Sequence, residues 1–317
     1  MKRVLVTGAG GFVGRELLRP LLAAGHRVVA LDMRLDGLGG QPNLRTIEGS
    51  IGSADILAAA LAEPLDAAVH LATVPGGAAE KDPDASRRIN IDAMYDLMEG
   101  LARQGNRPRF VYASSIAVLG EHLPASGVDD ATPLAPSMVY GVHKAMMEMM
   151  VALKNRRGEL DGVTIRLPGI LARPAGPSGM KSAFMSDLFH ALLEGRPYRC
   201  PVSAQATIWA QSIRRCAGNF MHALSLDSGL LPAGRAVTLP ALCFSIGDMV
   251  AEIVKQAGAD PGLIGYDPDP GLEAAFGCYP PLATPAADKA GFAHDGDLAS
   301  LVTQAIAHIR AQTDTSY

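Results

Sequence analysis

The chain has 317 residues, 48 % of them apolar and 19 % charged, with 28 Lys+Arg against 32 Asp+Glu for a formal charge of −4. At roughly 150 residues per domain this is material for about two domains with a sizeable core, which excludes a binding peptide, a disulfide mini-protein and a disordered segment. The slightly acidic balance, with no clustered run of Lys or Arg, also sets nucleic acid and anionic membranes aside as partners.

In chain order, short aliphatic runs at residues 2–7, 27–32, 66–70, 109–113 and 162–167 alternate with helical segments such as 15–24. Strands apolar on both sides, alternating with helices, predict an α/β fold: a doubly wound parallel sheet with helices on both faces. Past Leu167 the pattern changes. Pro168, Gly169, Pro174, Gly176, Pro177 and Gly179 mark a boundary, or a loop over a cleft. Beyond it the spacing predicts helices at 182–194 and 213–225, a strand at 235–239, and a helix at 246–257 capped by Ser245. A helix at 298–311 closes the chain before a tail, 312–317, expected to fray. No charge-free apolar stretch reaches the roughly 18 residues of a membrane span. Cys200, Cys216, Cys243 and Cys278 lie far apart, without a CxxC pair or a His cluster. A cytoplasmic protein with free thiols, no disulfide and no metal site is expected.

Directly after the first strand comes Thr7-Gly8-Ala9-Gly10-Gly11-Phe12-Val13-Gly14, which opens the first helix. Glycines let the backbone approach a pyrophosphate, and the helix N-terminus supplies oriented N–H groups with a positive partial charge. The second strand ends in Asp32, eighteen residues beyond Gly14. A carboxylate there accepts hydrogen bonds from both hydroxyls of an adenosine ribose and repels a 2′-phosphate, which favours NAD over NADP; Arg34 partly offsets that repulsion. The motif makes residues 1–168, with about 204–241, the dinucleotide-binding domain. Residues 169–203 and 242–317 then form a smaller α/β substrate domain.

Before the fifth strand, Tyr140 and Lys144 stand four residues apart, on one face of a helix. A tyrosine titrates near pH ~10, so a phenol serving as base near neutrality needs a neighbouring cation, and Lys144 is placed to be one. Ser115 follows the fourth strand at the carboxyl edge, where such sheets bind ligands. Ser114, the alternative serine, points to the opposite side of an extended strand.

Gly8, Gly11 and Gly14, Asp32, the His70-Leu71-Ala72 strand end, Asn90, Ser115, and Tyr140 with Lys144 together resemble the extended short-chain dehydrogenase/reductase family, and the likeness spans the whole chain. The resemblance implies hydride transfer with NAD. Tyr140 would be the general base, Ser115 the hydrogen-bond partner of the substrate oxygen, and Lys144 the group that holds the nicotinamide ribose and tunes Tyr140. It further implies that Phe12, Val13, Ser50, Ile51, Leu71, Ala72, Thr73, Asn90, Leu167 and Ile170 surround the cofactor with the glycines, Asp32, Tyr140 and Lys144.

Most members of that family act on nucleotide sugars and hold the diphosphate with an Asn in RxxNxxG and an Arg before an Ile-His pair. Here Gly169 stands for the Asn, Gln205 for the Arg and Trp209 for the His, so the charge-assisted contacts to a diphosphate are missing. The Asp-Glu pair of the dehydratases is replaced by Ile116-Ala117. Segments 73–78, 165–168, 173–174 and 200–202 instead resemble a branch that oxidises the C2 hydroxyl of a four-carbon sugar acid such as D-erythronate. That likeness implies a small polyhydroxy acid whose carbinol meets Ser115 and Tyr140 near Gly76 and Gly77, with Arg173 and Lys181 as candidates for its carboxylate. Two alternatives stay open: a nucleotide-sugar 4-epimerase with tightly held NAD, and a non-catalytic dinucleotide sensor. Val142, Met146, Met149, Met150 and Leu153 form an apolar arc on the tyrosine helix, away from Tyr140 and Lys144. The resemblance implies a homodimer through this helix and the one near 90–103; the other reading has the C-terminal region covering the arc.

Overall fold

The computed structural model describes residues 1–176 and 181–314. In chain order the first half runs β1 (Arg3–Thr7), α1 (Phe12–Ala23), β2 (Arg27–Asp32), β3 (Leu44–Glu48), α2 (Ala54–Ala60), β4 (Ala67–His70), α3 (Gly76–Lys81) and α4 (Pro83–Arg87). A π-helical turn (Arg88–Ala93), α5 (Met94–Ala102), β5 (Arg109–Ser115), α6 (Val139–Arg156) and β6 (Asp161–Leu167) complete it. The remainder runs β7 (Gly169–Ile170), α7 (Phe184–Leu193), β8 (Tyr198–Cys200), β9 (Thr207–Gln211), α8 (Ile213–Ala223), β10 (Ala236–Thr238) and β11 (Leu242–Ser245). Then follow α9 (Ile246–Ala257), β12 (Ile264–Tyr266), α10 (Pro270–Phe276), α11 (Pro285–Lys289) and α12 (Leu298–Asp314).

Seven strands form one parallel sheet in the order β10-β6-β5-β4-β1-β2-β3. Both faces are covered, and the alternation of side chains along β1 shows how. Val4 and Val6 enter a core with Leu17 and Leu21 of α1 and Phe220 of α8, while Leu5 enters the opposite core with Leu97 of α5 and Met147 of α6. Two of the seven strands lie outside the five aliphatic runs. β10 is the strand expected at 235–239, and β3 was not anticipated. It is an edge strand in which only Ile47 is buried, so it lacks the continuous apolar run by which interior strands are read.

After β6 the chain builds a three-stranded sheet, β11-β9-β7, and a two-stranded one, β12-β8. They share a core of Phe184, Leu188, Phe189, Ile246, Met249, Ile253, Leu301 and Val302. Between β9 and β11 the chain returns to the large sheet, where α8 packs in the core beside α1 and β10 pairs with β6. The helix α9 has the bounds its sequence predicts: Ser245 Oγ accepts from the Asp248 N–H, and Gly258 ends it at φ +66°. α12 continues to Asp314, so residues 312–314 are helical where a frayed tail was expected; 315–317 lie outside the described residues. No helix among the described residues is long and apolar enough to cross a membrane.

Candidate active site

Strand order reverses between β1 and β4, and the loops leaving their carboxyl ends diverge there to open a crevice. The two loops touch through Gly8. It adopts φ +72°, and a Cβ on it would lie 2.6 Å from the Ala72 nitrogen, so a side chain is excluded on both counts. α1 then starts at Phe12, with Gly11 as its N-cap, no capping side chain and no acid in the first turn. Its first N–H groups are thereby left for an anion. The sequence places this start three residues later because Gly14 weakens the helical signal; in the structure Gly14 is buried inside the first turn.

These parts border a cavity of about 910 Å³. Of the residues expected around a cofactor, Gly8, Gly11, Phe12, Val13, Gly14, Asp32, Ser50, Ile51, Leu71, Ala72, Thr73, Tyr140, Lys144, Leu167 and Ile170 all line it. Asp32 Oδ2 accepts from the Gly10 N–H at 2.8 Å, which fixes the carboxylate at the end of β2, where the residue borders the cavity. Arg34 lines the same end. Glycine cradle, helix start and terminal acid together fit an adenine dinucleotide.

Asn90 departs from expectation. It is 3 % exposed and does not border the cavity. Its Oδ1 accepts from Val74 N at 2.7 Å and Thr73 Oγ1 at 3.0 Å, while Nδ2 donates to Val74 O at 3.0 Å. Its amide is consumed in pinning the 73–74 loop, and it shapes the cavity wall at one remove. His70 is likewise internal: Nδ1 lies 2.8 Å from Thr7 Oγ1, and burial pushes the imidazole down to about 3, keeping it neutral.

Tyr140 sits in the first turn of α6. That turn lacks a side-chain cap of its own; Glu80 of α3 supplies one, accepting from Val139 N at 2.7 Å. Gly141 lets the helix approach the Ser115 turn, since a Cβ there would meet Ala117 O at 2.5 Å. Ser115 is hydrogen-bonded to Tyr140 and also accepts from Ala117 N at 3.2 Å, so it caps its turn and meets the phenol at once. Ser114 points the other way and donates to Glu148 Oε1 at 2.5 Å. Lys144 is 3 % exposed, donates to Ala113 O at 2.7 Å, and places its nitrogen 5.4 Å from the Tyr140 ring centroid.

The electrostatics differ from the simple expectation that Lys144 lowers the phenol. Burial pushes Tyr140 up to about 12, and the groups opposing it are the Ser115 hydrogen bond and the charge of Arg173. Burial also pushes Lys144 down to about 7, with the carboxylate of Glu148 opposing. Lys144 is buried and Tyr140 is half-buried at the cavity wall, and desolvation disfavours both charged forms.

Alongside lies a second cavity of about 190 Å³. The five residues expected to meet substrate, Gly76, Gly77, Ser115, Arg173 and Lys181, all border it, and Ser115, Tyr140 and Arg173 border both cavities. Arg173 follows Ala172, which adopts φ +64°, and its guanidinium stands 5.4 Å from the Phe12 ring centroid. Part of the loop expected over the cleft, 177–180, lies outside the described residues. The far wall was not anticipated in full. Trp209 Nε1 donates to Pro280 O at 2.6 Å and its ring packs 4.9 Å from that of Tyr279, which brings Phe276 and Tyr279 over the cavity. A signal for this segment was present in Asp269-Pro270, the N-cap and first residue of α10. Glu121 also lines the cavity and carried no signal in sequence.

A glycine-loop crevice opening onto a Ser, Tyr and Lys set defines a nicotinamide-dependent oxidoreductase of the short-chain dehydrogenase type. The chain belongs to the NAD dependent epimerase/dehydratase family, whose model matches residues 4–211. It is 34% identical over 266 residues to D-erythronate dehydrogenase of Cupriavidus necator, covering 80% of this chain and 82% of that one. To D-erythronate dehydrogenase of Haemophilus influenzae it is 31% identical over 261 residues, covering 81% and 82%. Among solved structures, a nucleoside-diphosphate-sugar epimerase from Agrobacterium tumefaciens superposes with a TM-score of 0.87 at 27% identity, over 99% of this chain and 95% of that one.

Proposed function

We propose that this chain is a cytoplasmic NAD-dependent dehydrogenase that oxidises a secondary hydroxyl of a small polyhydroxy acid such as D-erythronate. The observation that carries the reading is the 190 Å³ cavity, which joins Ser115 and Tyr140 to a cation, Arg173. Gly169 and Trp209 form part of its wall, where a diphosphate would need Asn and His. The likeness to two D-erythronate dehydrogenases supports the same class.

NAD, when bound, would supply the hydride acceptor. Ser115 holds the carbinol oxygen by a hydrogen bond, and Tyr140, as phenolate, takes the hydroxyl proton. Arg173 grips the carboxylate through two parallel N–H bonds and favours phenolate by its charge, with Lys181 adding a second cation. Lys144, which borders the larger cavity, would hold the nicotinamide ribose. The protein works as a homodimer through α5 and α6: Val142, Met146 and Met149 are 40 %, 45 % and 65 % exposed, so the C-terminal region leaves this arc uncovered, and Tyr95 of α5 is exposed with them.

A scan of sugar acids with NAD, followed at 340 nm, tests the substrate class. Arg173→Ala should raise KM for the preferred acid by about a hundredfold, as loss of a charge-assisted pair of bonds implies, and leave KM for the matching uncharged polyol unchanged. An unchanged KM for the acid refutes the assignment. The likeness to an epimerase structure favours 4-epimerisation as second reading; UDP-sugar interconversion without net NADH release would establish it.

A further inference from the structure

Behind the reacting groups lies a second set of buried charges. Glu148 stands one helical turn beyond Lys144 on α6, as Lys144 stands one turn beyond Tyr140, so the three occupy one face. Its carboxylate is 4 % exposed. It accepts from Ser114 Oγ at 2.5 Å, from Arg166 Nε at 3.0 Å and from Arg166 Nη2 at 2.7 Å. Ser114 belongs to β5 and Arg166 to β6, neighbours in the sheet. One carboxylate thus ties the helix that carries Tyr140 and Lys144 to the two strands beneath it.

An apolar pair would fill this space at less desolvation cost, so a buried charge here calls for a reason. The surroundings of Lys144 supply it. From β5 the ammonium meets the Ala113 carbonyl and the face of Tyr112, 4.8 Å from the ring centroid. From β4 it faces His70, which is neutral, and from α6 it faces Tyr140. Tyr112 is held neutral by burial. Arg166 and Arg173, the nearby cations, are paired with Glu148 and turned towards Phe12 respectively. Glu148 is the carboxylate whose charge reaches Lys144.

We propose that Glu148 is a positioning residue of this site: its carboxylate, clamped between Ser114 and Arg166, is the counter-charge that holds the Lys144 ammonium beside Tyr140. The inference rests on the reading of Tyr140 and Lys144 as the acid–base pair. Removing the charge leaves the buried Lys144 ammonium without its carboxylate, so the amine should lose its proton at lower pH.

Cofactor-free wild type, Glu148→Gln, Glu148→Asp and Ser114→Ala are treated with acetic anhydride from pH 4.5 to 10, and acetylation of Lys144 is read by peptide mass spectrometry. In Glu148→Gln the midpoint of labelling should fall by about one pH unit. Glu148→Asp should restore most of that shift, and Ser114→Ala, which removes a hydrogen bond but no charge, should leave the midpoint in place. An unchanged or higher midpoint in folded Glu148→Gln overturns the proposal and leaves Glu148 a structural pair for Arg166. Should that variant fail to fold, Glu148→Asp carries the test, since a carboxylate drawn back by one methylene should lower the midpoint by a smaller amount and no change overturns the proposal. Labelling needs neither substrate nor turnover, so failure of the sugar-acid reading shows separately, as the absence of NADH formation.

Discussion

Replacing Lys144 by Met should stabilise the cofactor-free protein while abolishing turnover. The buried ammonium is pushed from 10.5 down to about 7, and each unit corresponds to about 1.4 kcal/mol. In the unfolded chain the amine keeps its ordinary value, so at pH 7 the folded state is disfavoured by about 4 kcal/mol for holding this group. Met fills nearly the same volume without charge but leaves the Ala113 carbonyl, now bonded at 2.7 Å, without its donor, which returns about 2 kcal/mol of that. The net gain is about 2 kcal/mol, or about 3 °C in Tm for a chain of this length. The sign of the pH dependence follows from the depressed value. Between pH 7 and 10.5 the unfolded state binds more protons than the folded one, so wild-type stability rises with pH and the advantage of the variant shrinks. Melting curves of both proteins from pH 6 to 10 check this. A Lys144→Met protein that melts below wild type at pH 7, or a difference in Tm that does not narrow by pH 9.5, would refute the reasoning.

Tyr140→Phe should lose turnover by at least a thousandfold while calorimetric NAD affinity stays within about twofold, since the phenol acts on the substrate proton. Because burial raises Tyr140 and Arg173 opposes that rise, oxidation rates should climb from pH 7 towards 10, and Arg173→Ala should move the climb to higher pH; a profile that stays in place under saturating substrate contradicts this. Asp32→Ser removes the carboxylate near the ribose and leaves Arg34, so the kcat/KM preference for NAD over NADP should fall by at least tenfold. Wild type should scatter light as a dimer at micromolar concentration and Met149→Glu as a monomer, because a charge would stand in the centre of the exposed face of α6.

How much of this was legible depended on where each residue's partners lie. The glycine loop, Asp32 and the Tyr140/Lys144 spacing encode their geometry within a few residues, and they fall where the sequence puts them. β3 was missed because an edge strand needs one buried side chain, Ile47, rather than an aliphatic run. Asn90 was read as facing cofactor, yet its partners are the backbone and side-chain groups of a loop sixteen and seventeen residues away. The sequence shows the amide but not which way it points. The role of Glu148 was invisible for the same reason, since Ser114 and Arg166 approach it from separate strands. Burial also altered the electrostatics: four-residue spacing brings Lys144 near Tyr140, but only the fold reveals that burial opposes the charged form of each.

The two walls of the site draw on different cores. Val6, Leu17 and Phe220 belong to the core beneath the glycine loop, whereas Met185, Phe276 and Tyr279, which line the small cavity, pack with Leu188, Ile208 and Ile253, and the two clusters share no residue. Repacking in the second cluster can therefore reshape which alcohol is accepted while the first preserves the grip on the coenzyme. Descendants of such a scaffold can exchange one substrate for another by altering interior side chains far from the chemistry, with the hydride-transfer apparatus inherited intact.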